Sequence, residues 1–322
     1  MPDRPRNVGA SVRQRLLNLA HARGQPMELL LTRYALERLL HRLSISPHRE
    51  RFVLKGAMLL ATWFDEPHRA TRDVDLLGFG DAAADALLGT FREIMAVEVD
   101  DGVSFDLKGL RIEAIREEVE YGGSRIRTTA ALAGARIPIT VDIGFGDAVE
   151  PGVEDIDLPV LLDMPSPHLR AYPPETVIAE KFHAMVVLGR ANSRMKDYYD
   201  VWMLTGAFEI EPERLRRAIV ATFARRSTVI PAEVPDGLSD AFATDPGKQR
   251  QWDAFARNLS GTIPGFRSRR QRAAAETGGI SGSAVTRSFR TSHRSPSSPS
   301  TPAKGESSWT PYVMALALCW IG

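Results

Sequence analysis

Hydrophobic residues recur along this chain at two different spacings, and the change from one to the other lays out its elements. In residues 11–22, Val12, Leu16, Leu17 and Leu19 stand at helical intervals; Gly24 stops that helix and Pro26 opens the next. Over 27–43, Leu29, Leu30, Tyr34, Leu36, Leu39 and Leu40 form a broad stripe between Arg33, Glu37 and Arg38. Phe52, Val53 and Leu54 read as a short strand, and 58–64 as an apolar helix. A polar loop over 65–71 leads into a strand at 72–77. On that strand Asp73 and Asp75 share one face, while Val74 and Leu76 share the other. A helix is predicted over 81–97, and strands over 103–106, 110–115 and 124–131. The strand over 137–144 sets Ile137, Ile139, Val141 and Ile143 on one face and Thr140 and Asp142 on the other. Helical spacing returns at Pro174-Glu175 with Val177, Ile178, Lys181, Phe182, Met185 and Leu188. A polar connection at 191–196 follows, then helices over 197–205, 211–225 and 247–259. Helices, a run of strands and helices again predict an α+β fold, a mixed sheet with helices on one side.

Composition adjusts this outline at the C-terminus. The chain of 322 residues has room for two domains, or one with a helical extension. From Phe266 onward, eight Lys or Arg stand against Glu276 and Glu306, a net of +6; with +1 for the whole chain, residues 1–265 carry −5. The folded part is mildly acidic, so any contact with nucleic acid must come from a local patch. Past Arg267 the sequence becomes basic and rich in Gly, Ser, Thr and Pro, with too little apolar surface to fold. The organisation expected is a helical segment over 1–46, a catalytic core over 47–165, a helical region over 166–265 completing the site, and a disordered tail over 266–322. The lone cysteine, Cys319, rules out disulfide and cysteine-based zinc frameworks. The N-terminus lacks the apolar run of a secretory signal, and the apolar stretch at 312–321 is too short for a membrane span. A cytoplasmic protein without a membrane partner is expected.

Candidate chemistry centres on FVLKGAMLL and RDVDLL. Asp73 and Asp75 point the same way, roughly 6–7 Å apart along the strand. Two carboxylates on an otherwise apolar strand repel each other and resist burial. A divalent cation between them removes both costs, and hard oxygen ligands suit magnesium; a solvated face near a sheet edge is the plainer alternative. Gly56-Ala57 opens a helix where backbone N–H groups can meet a phosphate. Asp142 is a third candidate, as a metal ligand or as the acceptor of the proton of an attacking hydroxyl, or else a carboxylate at a solvated strand edge. Lys181 falls on the apolar side of its helix, where it must snorkel out, pair with a neighbouring helix, or meet an anion such as triphosphate. In RMKDYYD, Lys196, Asp197 and Asp200 can meet on one helical edge. Asp197 can serve as a helix cap, or as a partner of Lys181, with Arg194 and Lys196 facing phosphate or RNA.

The order strand, Gly-small turn, helix, Asp-x-Asp resembles the opening of the nucleotidyltransferase fold. KGA…RDVD, then TVDIGFGD, then ETVIAEKFHAMVVLGRANSRMKDYYDV resemble, in sequence order, the motifs of the AbiEii/AbiGii toxin family over roughly residues 30–260. The resemblance implies that Asp73, Asp75 and Asp142 hold one or two Mg²⁺ ions. It implies that Lys55, Gly56, Ala57, Arg72, Arg194 and Lys196 contact the nucleotide, and that Lys181 and Asp197, matching the EK-x-x-A helix and the R-x-K-D turn, are functional. Ala57 stands where the pattern has Gly or Ser, which removes a hydroxyl contact to phosphate. The implied activity is transfer of a nucleotide from an NTP to RNA, by analogy with the related MenT group the 3′ end of tRNA. The implied partner is a winged-helix antitoxin encoded alongside, in a toxin–antitoxin or phage-defence pair. Alternatives are a protein-directed phosphotransferase or nucleotidyltransferase on this fold, and a catalytically lapsed antitoxin-binding protein. The tail after about residue 266 departs from the family pattern and is expected to be a frameshifted or read-through end.

Overall fold

Residues 7–63, 72–115, 123–257 and 259 are described by a computed structural model. The polar loop expected at 65–71 and the tail expected from 266 lie outside the described residues.

Helix α1 (Val8–Arg23) starts where Asn7 Oδ1 accepts from the Ala10 amide and ends at Gly24, which adopts φ 61°. Its buried side chains Val12, Leu16 and Ala20 face α2 (Met27–Ile45). The stripe predicted on α2 is wider than its apolar residues. Glu37 and Arg38 are fully buried, and Arg42 forks onto Asp101 at 2.6 and 3.1 Å. The helix lies between α1 and the sheet, so it has few positions that can stay wet.

The sheet is assembled from β1 (Phe52–Lys55), β2 (Val74–Gly78), β3 (Ser104–Phe105), β4 (Arg111–Ile115), β5 (Gly123–Leu132), β6 (Ala135–Phe145), β7 (Glu154–Asp157) and β8 (His168–Ala171). Its order is β3-β5-β6-β2-β1-β8-β7, with β4 also on β5. The pairs β2–β6 and β1–β8 are parallel and the others antiparallel, giving a mixed sheet. β7 and β8 carry no clear apolar alternation and were not expected from the sequence; β8 is held in the sheet by β1. Helix α3 (Gly56–Trp63) follows β1 directly, and α4 (Ala84–Ala96) follows β2.

The predicted strand faces are observed. Val74, Leu76, Ile137, Ile139, Val141 and Ile143 are all buried. Phe52, on that same face of β1, meets Phe91 of α4 edge to face at 5.3 Å, so α4 covers this side. Helices on one side only is the expectation that fails. Helix α5 (Pro174–Leu188) brings Glu180 within 3.5 Å of Lys55 Nζ, and Lys55 belongs to the opposite face of β1. With α6 (Met195–Ala207) and α7 (Pro212–Arg225) it forms a second layer, because a charged row on that face draws polar helix positions onto it. Helices α8 (Asp240–Ala243) and α9 (Pro246–Ala256) close the described chain, and α9 rests on α6.

Candidate active site

Strand register sets four charged residues in one row across the sheet. Arg125 of β5 lies opposite Asp142 of β6, Asp142 opposite Asp75 of β2, and Asp75 opposite Lys55 of β1. Directly opposed residues point to the same face, so all four side chains rise from the side that α4 does not cover. Burial, then the field of Asp73, push the Asp75 carboxyl up to about 6. Asp142 adds to that rise, while Lys55 and Lys196 oppose it. Asp73, Asp142 and Lys196 therefore all lie close enough to act on Asp75. Arg72 is exposed at the head of β2.

Asp142 stands beside Asp75 as the sequence suggested, but its oxygens are already engaged. Arg125 Nε donates to Oδ1 at 2.7 Å and Nη2 to Oδ2 at 2.6 Å. This fork raises the Arg125 pKa. Among the described residues no three His, Cys, Asp or Glu side chains are gathered to hold one cation. The structure thus brings Asp73 and Asp75 near each other, with Asp142 beside Asp75 and paired with Arg125.

Gly56 begins α3 with φ 69°, a region that L side chains enter at a cost of about 1–2 kcal/mol. A Cβ there would lie 2.0 Å from Asp75 Oδ2 and 2.7 Å from Asp75 Cβ. The missing side chain lets the turn and the carboxylate share one place. Gly56→Ala is expected to lose at least that conformational cost in a denaturant melt, and to displace Asp75. Ala57 follows in the first turn of α3.

Lys55 does not face an open anion site. Its Nζ donates to Asp147 Oδ2 at 2.5 Å and lies 3.5 Å from Glu180, over the Tyr172 ring. Arg226 joins the same group at 3.0 Å from Glu180 and 3.5 Å from Asp147, and Tyr172 donates to Asp147 at 3.2 Å. Burial alone would raise Asp147, yet Lys55 holds that carboxyl below its usual range. Two cations and two carboxylates thereby tie the end of β1, the segment after β6, α5 and the end of α7 into one knot. Only Lys55 was a sequence candidate. Arg226 is exposed to no periodicity argument, since it follows α7 and meets α5 only in the folded chain.

Lys181 is likewise paired. Its Nζ donates to Asp197 and Asp200, each at 2.8 Å, with side chains 14%, 8% and 2% exposed. Burial would lower this ammonium, but the two carboxylates carry it above its ordinary value. Of the alternatives for Asp197, the structure takes pairing with Lys181; α6 has no side-chain N-cap hydrogen bond. Lys196 does not join its neighbours: it is exposed, as is Arg194, and its field reaches Asp75. The triad fastens the start of α6 to α5 and so holds Lys196 beside the aspartates.

An Asp pair on a mixed sheet, beside a positive-φ glycine that opens a helix and within the field of Lys196 at the start of α6, makes up the candidate site. The sequence model of the AbiEii family, described as "Nucleotidyl transferase AbiEii toxin, Type IV TA system", matches residues 38–276, and the chain belongs to that family. No curated protein shows a significant match. Among solved structures, JHP933 from Helicobacter pylori aligns at 14% identity with a TM-score of 0.39, over 78% of this chain and 98% of that one. A candidate nucleotidyltransferase from H. pylori aligns at 14% identity with a TM-score of 0.30, over 69% and 90%. Among the described residues, no helix is long and apolar enough to cross a membrane.

Proposed function

We propose that this nucleotidyltransferase-family toxin transfers a nucleoside monophosphate from an NTP to the terminal hydroxyl of an RNA, with the tRNA 3′ end as the expected acceptor. The observation that carries the reading is the register that seats Asp75 between Gly56 and Asp142, with Asp73 and Lys196 in reach. A Mg²⁺ ion fits the Asp73/Asp75 pair, because two crowded carboxylates, one of them pushed up to about 6 by burial and by the other, offer hard oxygen ligands whose mutual repulsion a divalent cation relieves. When bound, such an ion supplies charge neutralisation for the phosphates.

The residues of the chain do the rest. Backbone N–H groups at Gly56 and Ala57 receive the triphosphate at the start of α3. Lys196 and Arg194, both exposed at the start of α6, add positive charge from the facing helix. Arg72, exposed next to Asp73 in the chain, adds a further cation. An RNA hydroxyl oxygen then bonds to the α-phosphorus as the bond from that phosphorus to the bridging oxygen breaks. Pyrophosphate leaves with the bonding pair and the hydroxyl proton passes to solvent. Positioning and charge neutralisation supply most of the rate for such a reaction. Lys181 and Asp197 act through the placement of α6. The proposed setting is the cytoplasm, where a cognate antitoxin restrains the enzyme as part of a type IV pair, a role compatible with phage defence.

The test supplies purified protein with Mg²⁺, total RNA and each NTP labelled at the α or the γ phosphate. The α label is expected on RNA. A γ label on protein would replace nucleotide transfer by phosphorylation and overturn the proposal.

A further inference from the structure

The row of four charged residues gives the site two sides. Gly56 and Lys55 lie on the β1 side of Asp75, whereas Asp142 and then Arg125 lie on the β6 and β5 side. Adjacent strands are about 4.8 Å apart, so β5 stands roughly 10 Å from β2, on the flank away from the glycine turn. In phosphoryl transfer the entering and leaving oxygens lie roughly in line across phosphorus. A triphosphate seated on Gly56 places the leaving pyrophosphate over β1, and the attacking hydroxyl must come from the β6–β5 side. What stands there is a guanidinium.

Arg125 is oriented by its fork onto Asp142 through Nε and Nη2, which turns its remaining N–H groups away from that carboxylate. Its side chain is 33% exposed, so those donors can be reached. The same face continues outward with Arg127, Arg111 and Arg136, all exposed, against Glu113, which stands opposite Arg125 in register and lies 3.6 Å from Arg127. On a chain whose first 265 residues carry net negative charge, this strand wing is locally basic. Charge complementarity selects an anionic occupant.

We infer that Arg125, held by Asp142, binds a phosphodiester of the acceptor next to the attacking hydroxyl, and that Asp142 is its positioning residue rather than a cation ligand. This rests on the nucleotidyl-transfer reading above and deepens it: the acceptor is a polynucleotide end, and a hydroxyl on a protein lacks the group Arg125 recognises.

The test measures binding to the full chain of two probes, a fluorescent oligoribonucleotide with a free 3′-hydroxyl and an NTP, over a salt series. Arg125→Ala is expected to weaken oligoribonucleotide binding on the order of tenfold, the size of a lost charged hydrogen-bond pair. It should also flatten the slope of log affinity against log salt by about 0.7, one phosphate contact on a single strand. NTP affinity should stay within twofold. Arg125→Lys should keep the salt slope but only part of the affinity, since an ammonium has no fork. Asp142→Asn should weaken oligoribonucleotide binding less than Arg125→Ala, and leave the Mg²⁺ concentration needed for NTP binding unmoved.

A folded Arg125→Ala protein with wild-type RNA affinity and slope would overturn the inference. So would a loss confined to NTP, or an Asp142→Asn protein that needs more Mg²⁺. The two readings fail separately. Arg125-dependent RNA binding without any nucleotide transfer would leave the phosphate site standing and remove the reaction. Transfer to RNA that ignores Arg125 would do the reverse.

Discussion

Asp75→Asn is expected to abolish nucleotide transfer and yet to melt at a higher temperature than the wild type at pH 7.5 in EDTA. Activity falls because the pair would lose half of the anionic charge that holds a divalent cation, and such a cation would neutralise the phosphate charge. That is worth several kcal/mol, or three or more orders of magnitude in rate. Stability rises because the Asp75 carboxyl is held at about 6, above its ordinary value, by burial and by Asp73. The sign follows from proton binding. Between about pH 4 and 6 the folded chain holds a proton on Asp75 that the unfolded chain has released. The stabilisation is complete below the unfolded value near 4 and is lost as pH rises through 6. At one unit per ~1.4 kcal/mol, the strain present at pH 7.5 is of order 1–3 kcal/mol. An amide carries no such charge. Magnesium should raise the wild-type melting temperature at pH 7.5 much more than at pH 5, and should leave Asp75→Asn unmoved. An Asn variant that kept transfer, or that melted below the wild type in EDTA at pH 7.5, would show that Asp75 is neither crowded nor a cation ligand.

What made Asp75 legible in the sequence is the two-residue period of a strand. Alternation alone put Asp73 with Asp75 and against Val74 and Leu76, and the same rule separated Asp142 from Ile139, Val141 and Ile143. That the two aspartate strands pair directly is seen only in the fold, because alternation orients each strand without choosing its neighbour. Period carries no information about the partner across the strand. Arg125 occurs in a stretch where Ser124, Arg127, Thr128 and Thr129 surround the one apolar residue Ile126, and nothing there marks its register with Asp142. The sequence reading of Asp142 therefore did not include its arginine partner.

The helical half was read with the same strength and the same blind spot. The three- and four-residue steps of α5 correctly put Lys181 among Val177, Ile178 and Met185. They could not say what charge would meet it there. Asp197 was one expected partner of Lys181, but Asp200 was set on an edge with Lys196 and Asp197, whereas both aspartates turn inward and leave Lys196 outside. Helical spacing gives a direction around an axis, but only the packing of α6 on α5 decides which direction is buried. The knot of Lys55, Asp147, Glu180 and Arg226 was hidden for a related reason. Its members come from four separated segments, and each looks like an ordinary surface charge in its own stretch.

Lys181→Met should be the most destabilising single change at the site, because it leaves two buried carboxylates without their cation. Breaking such a pair costs about 3–5 kcal/mol, mostly the penalty of the stranded charge. In a chain of this size that lowers the melting temperature on the order of 10 °C. Asp197 and Asp200 are 8% and 2% exposed, so water cannot take over the role of the ammonium without opening the contact between α5 and α6. A triple variant, Lys181→Met with Asp197→Asn and Asp200→Asn, removes the stranded charges and should recover most of the stability. Transfer should stay low in the triple variant, because the fork that fixes the start of α6, and with it Lys196 beside Asp75, is gone. Full transfer by a restabilised triple variant would reduce the triad to a brace that another contact can replace. A single Lys181→Met protein that melted with the wild type would show that the ammonium does not hold the two carboxylates at all, and that Lys181 is free to meet the nucleotide directly.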